Sequence, residues 1–253
     1  MTEPGRAVLV TGASRGIGAA VSRAFAERGD RVAVHYGASA ERAQQVADSM
    51  PGDGHAVVSA DLADPQATER MVDEAAERLG GIDVLVNNAG IWEAHPITET
   101  TYDQWRRAWQ RTLDINLTGA ANVTWCAVRH MRAAGNGGAI INVASRGAFR
   151  GEPEHPAYGA SKAGLIAFGQ SLARALGPYG IVVSAVAPGF VETDMAAAEL
   201  VGEAGAARRA ESPLGRVSTP EEVAAAVVFL ASPEARMATG SVLDVNGASY
   251  LRM

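Results

Sequence analysis

Lysine is almost missing from this chain: of 22 basic residues, 21 are arginine and the one lysine is Lys162. Cysteine is as scarce, and with Cys126 standing alone neither an internal disulfide nor a cysteine-based metal cage can form within the chain. The five histidines are scattered without ligand spacing, so no metal site is expected. No stretch approaches the ~18 apolar residues of a membrane span, and residues 1–6 lack the apolar core of an export signal, so a soluble, cytoplasmic protein without a membrane partner is expected. Positive charge is not in excess. The net charge of −6 speaks against nucleic acid as a partner.

What is present is 253 residues, 47% of them hydrophobic and 20% charged, ample for a sizeable core. No linker, charge block or shift of composition divides them, which predicts a single domain over residues 1–253. Abundant arginine and alanine fit a bias toward GC-rich codons. Under such a bias, the surviving lysine marks a place where a guanidinium would not serve.

Short β-branched runs alternate with amphipathic helical stretches. Arg6–Thr11, Arg31–His35, His55–Ala60, Ile82–Asn87, Ala139–Ala144, Ile181–Ala187 and Ser241–Val245 read as buried strands, because most are nearly continuous apolar runs. Between them, Ile17–Arg28, Glu41–Met50, Gln66–Leu79, a long stretch Tyr102–Met131, Tyr158–Leu176 and Pro220–Leu230 read as helices, the last with Thr219 as N-cap. Such alternation predicts an α/β fold: a Rossmann-like, doubly wound parallel sheet of about seven strands with helices on both faces.

The first strand runs into Thr11-Gly12-Ala13-Ser14-Arg15-Gly16-Ile17-Gly18, which opens a helix. Glycines let the backbone turn sharply and approach a pyrophosphate, which then rests on the free N–H groups of the helix start. The spacing Gly-x3-Gly-x-Gly differs from the common dinucleotide fingerprint, and tight helix–strand packing alone is the alternative. Where an acidic residue after the second strand would accept a ribose 2′-OH, this chain has His35-Tyr36-Gly37-Ala38-Ser39 and no carboxylate before Glu41. With Arg15 as a cation for a 2′-phosphate, the pattern favours NADP(H), contacted here by Tyr36 and Ser39. Ser39 as a plain helix cap and Arg15 as a solvated side chain remain the alternatives. Asp61 and Leu62 close the third strand, where a carboxylate can meet the adenine amino group, and Asn88, Ala89 and Gly90 close the fourth. Asn87 suits ligand contact and a structural amide equally well.

Near a helix start, Tyr158 and Lys162 are spaced i, i+4 and share one face. An ammonium within about 4 Å at an effective dielectric near 20 contributes roughly 4 kcal/mol, about three pKa units, enough to bring a phenol into the working range for proton transfer. Ser145 ends the fifth strand, where its hydroxyl can bond a substrate carbonyl as charge develops. Asn116 lies mid-helix, a poor place for asparagine that marks a local distortion or a bound water.

Taken together, Thr11-Gly-x3-Gly-x-Gly18, Asn87-Asn-Ala-Gly90, Asn116, Ser145, Tyr158-x3-Lys162 and Pro188-Gly-Phe-Val-Glu-Thr193 resemble the short-chain dehydrogenase/reductase family, most of all its 3-oxoacyl-acyl-carrier-protein reductase group. The resemblance runs from about Ala7 to Tyr250. It implies that Tyr158 moves the proton, Lys162 lowers the pKa of that phenol and binds the nicotinamide ribose, Ser145 polarises the carbonyl and Asn116 holds a relay water. It further implies that Pro188, Gly189, Val191 and Thr193 meet the nicotinamide end, and that the chain forms a homotetramer. Arg146 and Arg150 depart from the family pattern, standing either as receivers of an anionic group or as solvated loop residues. Trp92, Glu93, Glu152, Glu154 and His155 add a polar rim that weakens the case for a fatty acyl substrate. Residues 190–215 read as a mobile lid over the substrate. The leading expectation is an NADPH-dependent reduction of a small-molecule ketone or acyl thioester. An NAD(H)-linked alcohol or sugar dehydrogenase and a non-catalytic dinucleotide-binding sensor are the alternatives.

Overall fold

The computed structural model describes residues 5–252. Seven strands, β1 (Ala7–Val10), β2 (Arg31–Tyr36), β3 (Ala56–Ser59), β4 (Val84–Asn87), β5 (Gly138–Val143), β6 (Ile181–Pro188) and β7 (Val242–Val245), form one sheet in the order β3-β2-β1-β4-β5-β6-β7. Every pairing is parallel. The helices are α1 (Gly16–Ala26), α2 (Ala40–Asp48), α3 (Pro65–Leu79), α4 (Tyr102–Leu113), α5 (Ala120–Ala134), α6 (Gly147–Arg150), α7 (Pro156–Leu176), α8 (Gly202–Ala210) and α9 (Pro220–Leu230). Among the described residues, no helix is long and apolar enough to cross a membrane, and no cluster of His, Cys, Asp or Glu is placed to hold a metal ion.

Alternation along the strands feeds two cores. Val8 and Val10 pack with α1, α2 and α9 on one face, whereas Ala7 and Leu9 pack with α3, α5 and α7 on the other. Helix starts follow local chemistry: Asp64 accepts from the N–H groups of Gln66 and Ala67 at 2.9 and 3.0 Å, and Thr219 forms a reciprocal capping box with Glu222.

Two differences from the sequence reading have physical causes. β7 is not a buried strand: its residues are half-buried or exposed because it lies at the sheet edge. The stretch Tyr102–Met131 is not one α-helix. A π-helical segment, Asp114–Gly119, separates α4 from α5 and turns Asn116 fully inward, the distortion that a mid-helix asparagine suggests. Residues 190–215 are folded, with α8 inside them and a bridge from Val191 to Ser218.

The chain moves outward from β1 to β3, then crosses back to β4 on the other side of β1. That reversal leaves a crevice beyond the carboxyl ends of β1 and β4, where open α/β sheets bind ligands.

Candidate active site

The turn after β1 is built for close backbone approach. Gly12 and Gly16 have φ of 63° and 55°, a region that side chains disfavour. A Cβ on Gly12 would come within 2.8 Å of the Ala89 Cα. The first turn of α1 has no intrahelical acceptors for the N–H groups of Gly16, Ile17 and Gly18. Asn88 ties the β4 loop to this turn by donating its Nδ2 to the carbonyls of Thr11 and Gly12 at 2.9 and 3.0 Å.

His35, which sequence reasoning passed over, holds the turn from the other side. Its Nδ1 accepts the Gly12 N–H at 3.0 Å, its carbonyl accepts the Ala13 N–H at 2.8 Å, and its Nε2 donates to the Ala60 carbonyl at 3.1 Å. Burial pulls its pKa from 6.5 to about 4, so the imidazole is neutral. Because the folded pKa is depressed, the contribution of His35 to stability is complete above pH 6.5 and is lost as the pH falls toward 4. Unfolding free energy should therefore fall by about 2 kcal/mol from this group between pH 7 and pH 5. Urea unfolding at the two pH values checks it: the drop should be smaller by about that amount in His35→Gln, and an equal drop in both proteins would refute the assignment.

A cavity of about 770 Å³ occupies the crevice. From the Gly-rich turn it is lined by Gly12, Ser14, Arg15, Gly16 and Ile17; from the ends of β2 and β3 by Ser39, Asp61 and Leu62. Asn88, Ala89 and Gly90 line its middle, and Pro188, Gly189, Val191 and Thr193 lie beyond β6. Ser39 precedes α2 but makes no capping hydrogen bond. Asn87 lies off the wall, its Nδ2 donating to Thr124 Oγ1 at 2.8 Å and Asn142 Oδ1 at 3.0 Å, which makes it a structural amide.

Three sequence-predicted residues are not on the wall. Tyr36 points to the opposite side of the strand from His35 and packs against the α1/α2/α9 core. Gly18 sits where a Cβ would lie 2.4 Å from the Gly12 carbonyl oxygen, so it serves helix–strand packing. Asn116 is fully buried: its Oδ1 accepts the Ile91 N–H at 2.8 Å, and its Nδ2 donates to the Ile91 carbonyl at 3.0 Å and to Ser161 Oγ at 3.2 Å. It pins the loop that follows Gly90.

Two arginines meet at the β2 end. Arg15 and Arg42 approach the Asp194 carboxylate at 3.5 and 3.2 Å, joining the Gly-rich turn and α2 to the segment after β6. Arg42 follows Ser39 by three positions, and only the fold shows that it faces Arg15.

Ser145, Tyr158 and Lys162 line the cavity together. Ser145 Oγ accepts the Gly147 N–H at 3.0 Å and faces the same cavity as the Tyr158 phenol. Lys162 Nζ donates to the Val143 carbonyl at 2.8 Å and lies 5.7 Å from the centre of the Tyr158 ring. The lowering of the phenol pKa expected from this ammonium is opposed by burial. Burial pushes Tyr158 up to about 12, with Ser145 opposing and the Glu152 charge adding to the rise, while burial draws Lys162 down to about 8. The ammonium is committed to a backbone carbonyl and set off from the ring. At neutral pH, Tyr158 is a protonated phenol, the state that can give a proton to a developing alkoxide.

The outer end of the cavity is aromatic and charged. Trp92 stacks on His155 at 3.9 Å and 12° and meets the edge of Phe190 at 6.3 Å and 80°. Arg146 is neither solvated nor free: its side chain is 3% exposed and pairs with Glu211 at 2.5 Å. Arg150 and Arg208 approach the same carboxylate at 3.4 and 3.0 Å. Although burial disfavours its charge, these arginines hold the Glu211 carboxyl below its usual range.

A nicotinamide dinucleotide fits these residues: glycines leave room for a pyrophosphate, unpaired N–H groups meet it, and hydroxyl donors stand at the far end. Fold and site define an oxidoreductase of the nicotinamide-dependent class. The chain belongs to the short-chain dehydrogenase/reductase family, matching the model described as enoyl-(acyl carrier protein) reductase over residues 12–248. It is 39% identical over 251 residues to the 3-oxoacyl-[acyl-carrier-protein] reductase of Vibrio cholerae, covering 99% of this chain and 100% of that one. It is 42% identical to a cis-4-hydroxycyclohexanecarboxylate dehydrogenase of Sinomonas cyclohexanicum, with 96% and 95% covered. Among solved structures, a short-chain dehydrogenase from Burkholderia cenocepacia in complex with NADP superposes with a TM-score of 0.86 at 39% identity, over 96% of this chain and 97% of the other.

Proposed function

We propose that the protein is an NADP(H)-dependent oxidoreductase that reduces a ketone or 3-oxoacyl-type carbonyl to a secondary alcohol. The observation that carries this reading is the convergence of Ser145, Tyr158 and Lys162 on a cavity whose other end holds the Gly-rich turn, Arg15 and Arg42. The bound nicotinamide supplies the hydride. Ser145 orients the carbonyl oxygen by hydrogen bonding, and Tyr158 donates its proton to that oxygen as charge grows there. Lys162 holds the cofactor ribose from its place beside Gly90, where a Cβ would lie 3.5 Å from Nζ. Asn116 keeps the Ile91 loop against α7 as a positioning residue, through Ser161. The proposal includes residues 190–215 as a closing segment, and the homotetramer and cytoplasmic location expected from the sequence.

Cofactor choice follows from charge. Arg15 and Arg42 face each other across an acceptor site that Asp194 now serves, and a 2′-phosphate offers the same guanidinium groups a stronger partner. Absorbance assays of NADPH and NADH oxidation over a panel of ketones and a β-ketoacyl thioester test the activity. Arg42→Ala should raise the KM for NADPH about tenfold and leave that for NADH within a factor of about two. Equal effects on the two cofactors would reject the 2′-phosphate assignment.

A further inference from the structure

Beside the reacting hydroxyls stands a carboxylate that the proposed chemistry does not use. Glu152 lines the same cavity as Ser145 and Tyr158, with its side chain 13% exposed. Two glycines make room for it. A Cβ on Gly147, two residues after Ser145, would lie 2.4 Å from Glu152 Oε1, and one on Gly159, next to Tyr158, would lie 3.7 Å from the Glu152 Cβ. Its ion pair with Arg150 Nε spans 3.7 Å, longer than a hydrogen bond. The carboxylate thus retains acceptor capacity toward whatever enters the cavity.

The charges around it are already balanced. Arg146, Arg150 and Arg208 are matched in number by Glu211, Glu199 and Glu152 itself, so an anionic substrate meets no net positive charge there, although Arg146 Nη2 and Arg150 Nε make no hydrogen bond. An apolar acyl chain would desolvate the carboxylate without giving it a donor, which is costly. Burial raises the Glu152 pKa and outweighs the nearby arginines, in keeping with a carboxyl held only by a long ion pair. Trp92, another residue of the wall, is fixed by its stack on His155 and offers an indole to the C–H face of a ring.

We infer that the pocket takes a compact, uncharged, hydroxyl-bearing cyclic ketone or alcohol, carbohydrate-like in character, with Glu152 accepting a hydrogen bond from a hydroxyl near the reacting carbon and Trp92 packing against the ring. This deepens the proposed function and rests on it for the position of the reacting oxygen. Glu152 and Trp92 are specificity residues; neither exchanges a proton or hydride with the substrate.

The test compares 2-hydroxycyclohexanone, cyclohexanone and an acetoacetyl thioester as substrates with NADPH. Wild type should favour the hydroxy ketone over cyclohexanone by about thirtyfold in kcat/KM, falling to about threefold or less in Glu152→Ala and partly restored in Glu152→Gln, which keeps an acceptor oxygen. A purely structural role would slow both ketones alike and leave the ratio unchanged. An unchanged ratio in Glu152→Ala, or a best rate with the thioester, overturns the inference. Binding is read apart from turnover by titrating myo-inositol and cyclohexanol into the Tyr158→Phe protein loaded with NADP+, followed by tryptophan fluorescence. Tighter binding of the polyol, lost when Glu152→Ala is added, supports the inference even if no ketone is reduced, an outcome that would count against the catalytic reading alone. Equal binding of the two alcohols overturns the inference even if ketones are reduced.

Discussion

Replacing Tyr158 with phenylalanine is expected to lower kcat by about 10³-fold, or about 4 kcal/mol of barrier, with the dissociation constant for NADPH nearly unchanged. The phenol is the proton source that the site places beside Ser145, and burial keeps it protonated by pushing its pKa to about 12. Phenylalanine fills the same volume but leaves the forming alkoxide with only the Ser145 hydroxyl. Ser145 already bonds the Gly147 N–H and can stabilise charge, but an aliphatic hydroxyl is a far weaker acid than a phenol and is a poor proton source. Steady-state kinetics and a fluorescence titration with NADPH separate the two effects. Turnover within tenfold of wild type would remove Tyr158 from the role of acid.

Glu211→Ala is expected to destabilise the protein by about 3 kcal/mol, near the low end for stranding a buried charge because Glu211 is itself one-quarter exposed. Arg146 would lose its carboxylate while Arg150 stays close by, and burial together with that neighbour already disfavours its charge. The stack of Arg146 and Arg208 around Phe190, at 5.2 and 4.9 Å, would loosen with it, so the KM for the ketone should rise. A double variant, Arg146→Met with Glu211→Leu, should recover most of the stability because no charge is left unpaired. Denaturant unfolding of the three proteins decides: a single-variant loss below about 1 kcal/mol would show that the arginines find other partners.

Much of the fold was legible because a sheet covered on both faces writes itself as apolar runs, and the helix ends at Gly80 and Pro220 are stated by single residues. The family, too, was legible from the spacing of Ser145, Tyr158 and Lys162. What escaped depends on direction and on distant neighbours. Whether Tyr36 or His35 meets the cavity turns on the parity of one strand, and the sequence carries no mark of it. Arg42 gains its meaning from Asp194, 152 residues away. Arg146 looked like a loop residue because its partner, Glu211, lies far along the chain in a segment whose alanines and glycines suggested looseness. The burial that opposes a lowered Tyr158 pKa escaped for a similar reason: spacing places an amine near a phenol, but how deeply the pair is enclosed is a property of the whole molecule.

Lys162 has one further use. It carries the only ε-amine in the sequence, and it faces the cavity with a pKa drawn down to about 8. Mild reductive methylation with a ¹³C-labelled aldehyde would therefore give a single side-chain NMR resonance, located among the reacting groups. That resonance, told apart from the one of the methylated α-amine, would report cofactor entry, substrate entry and proton loss in turn, in an unmutated chain.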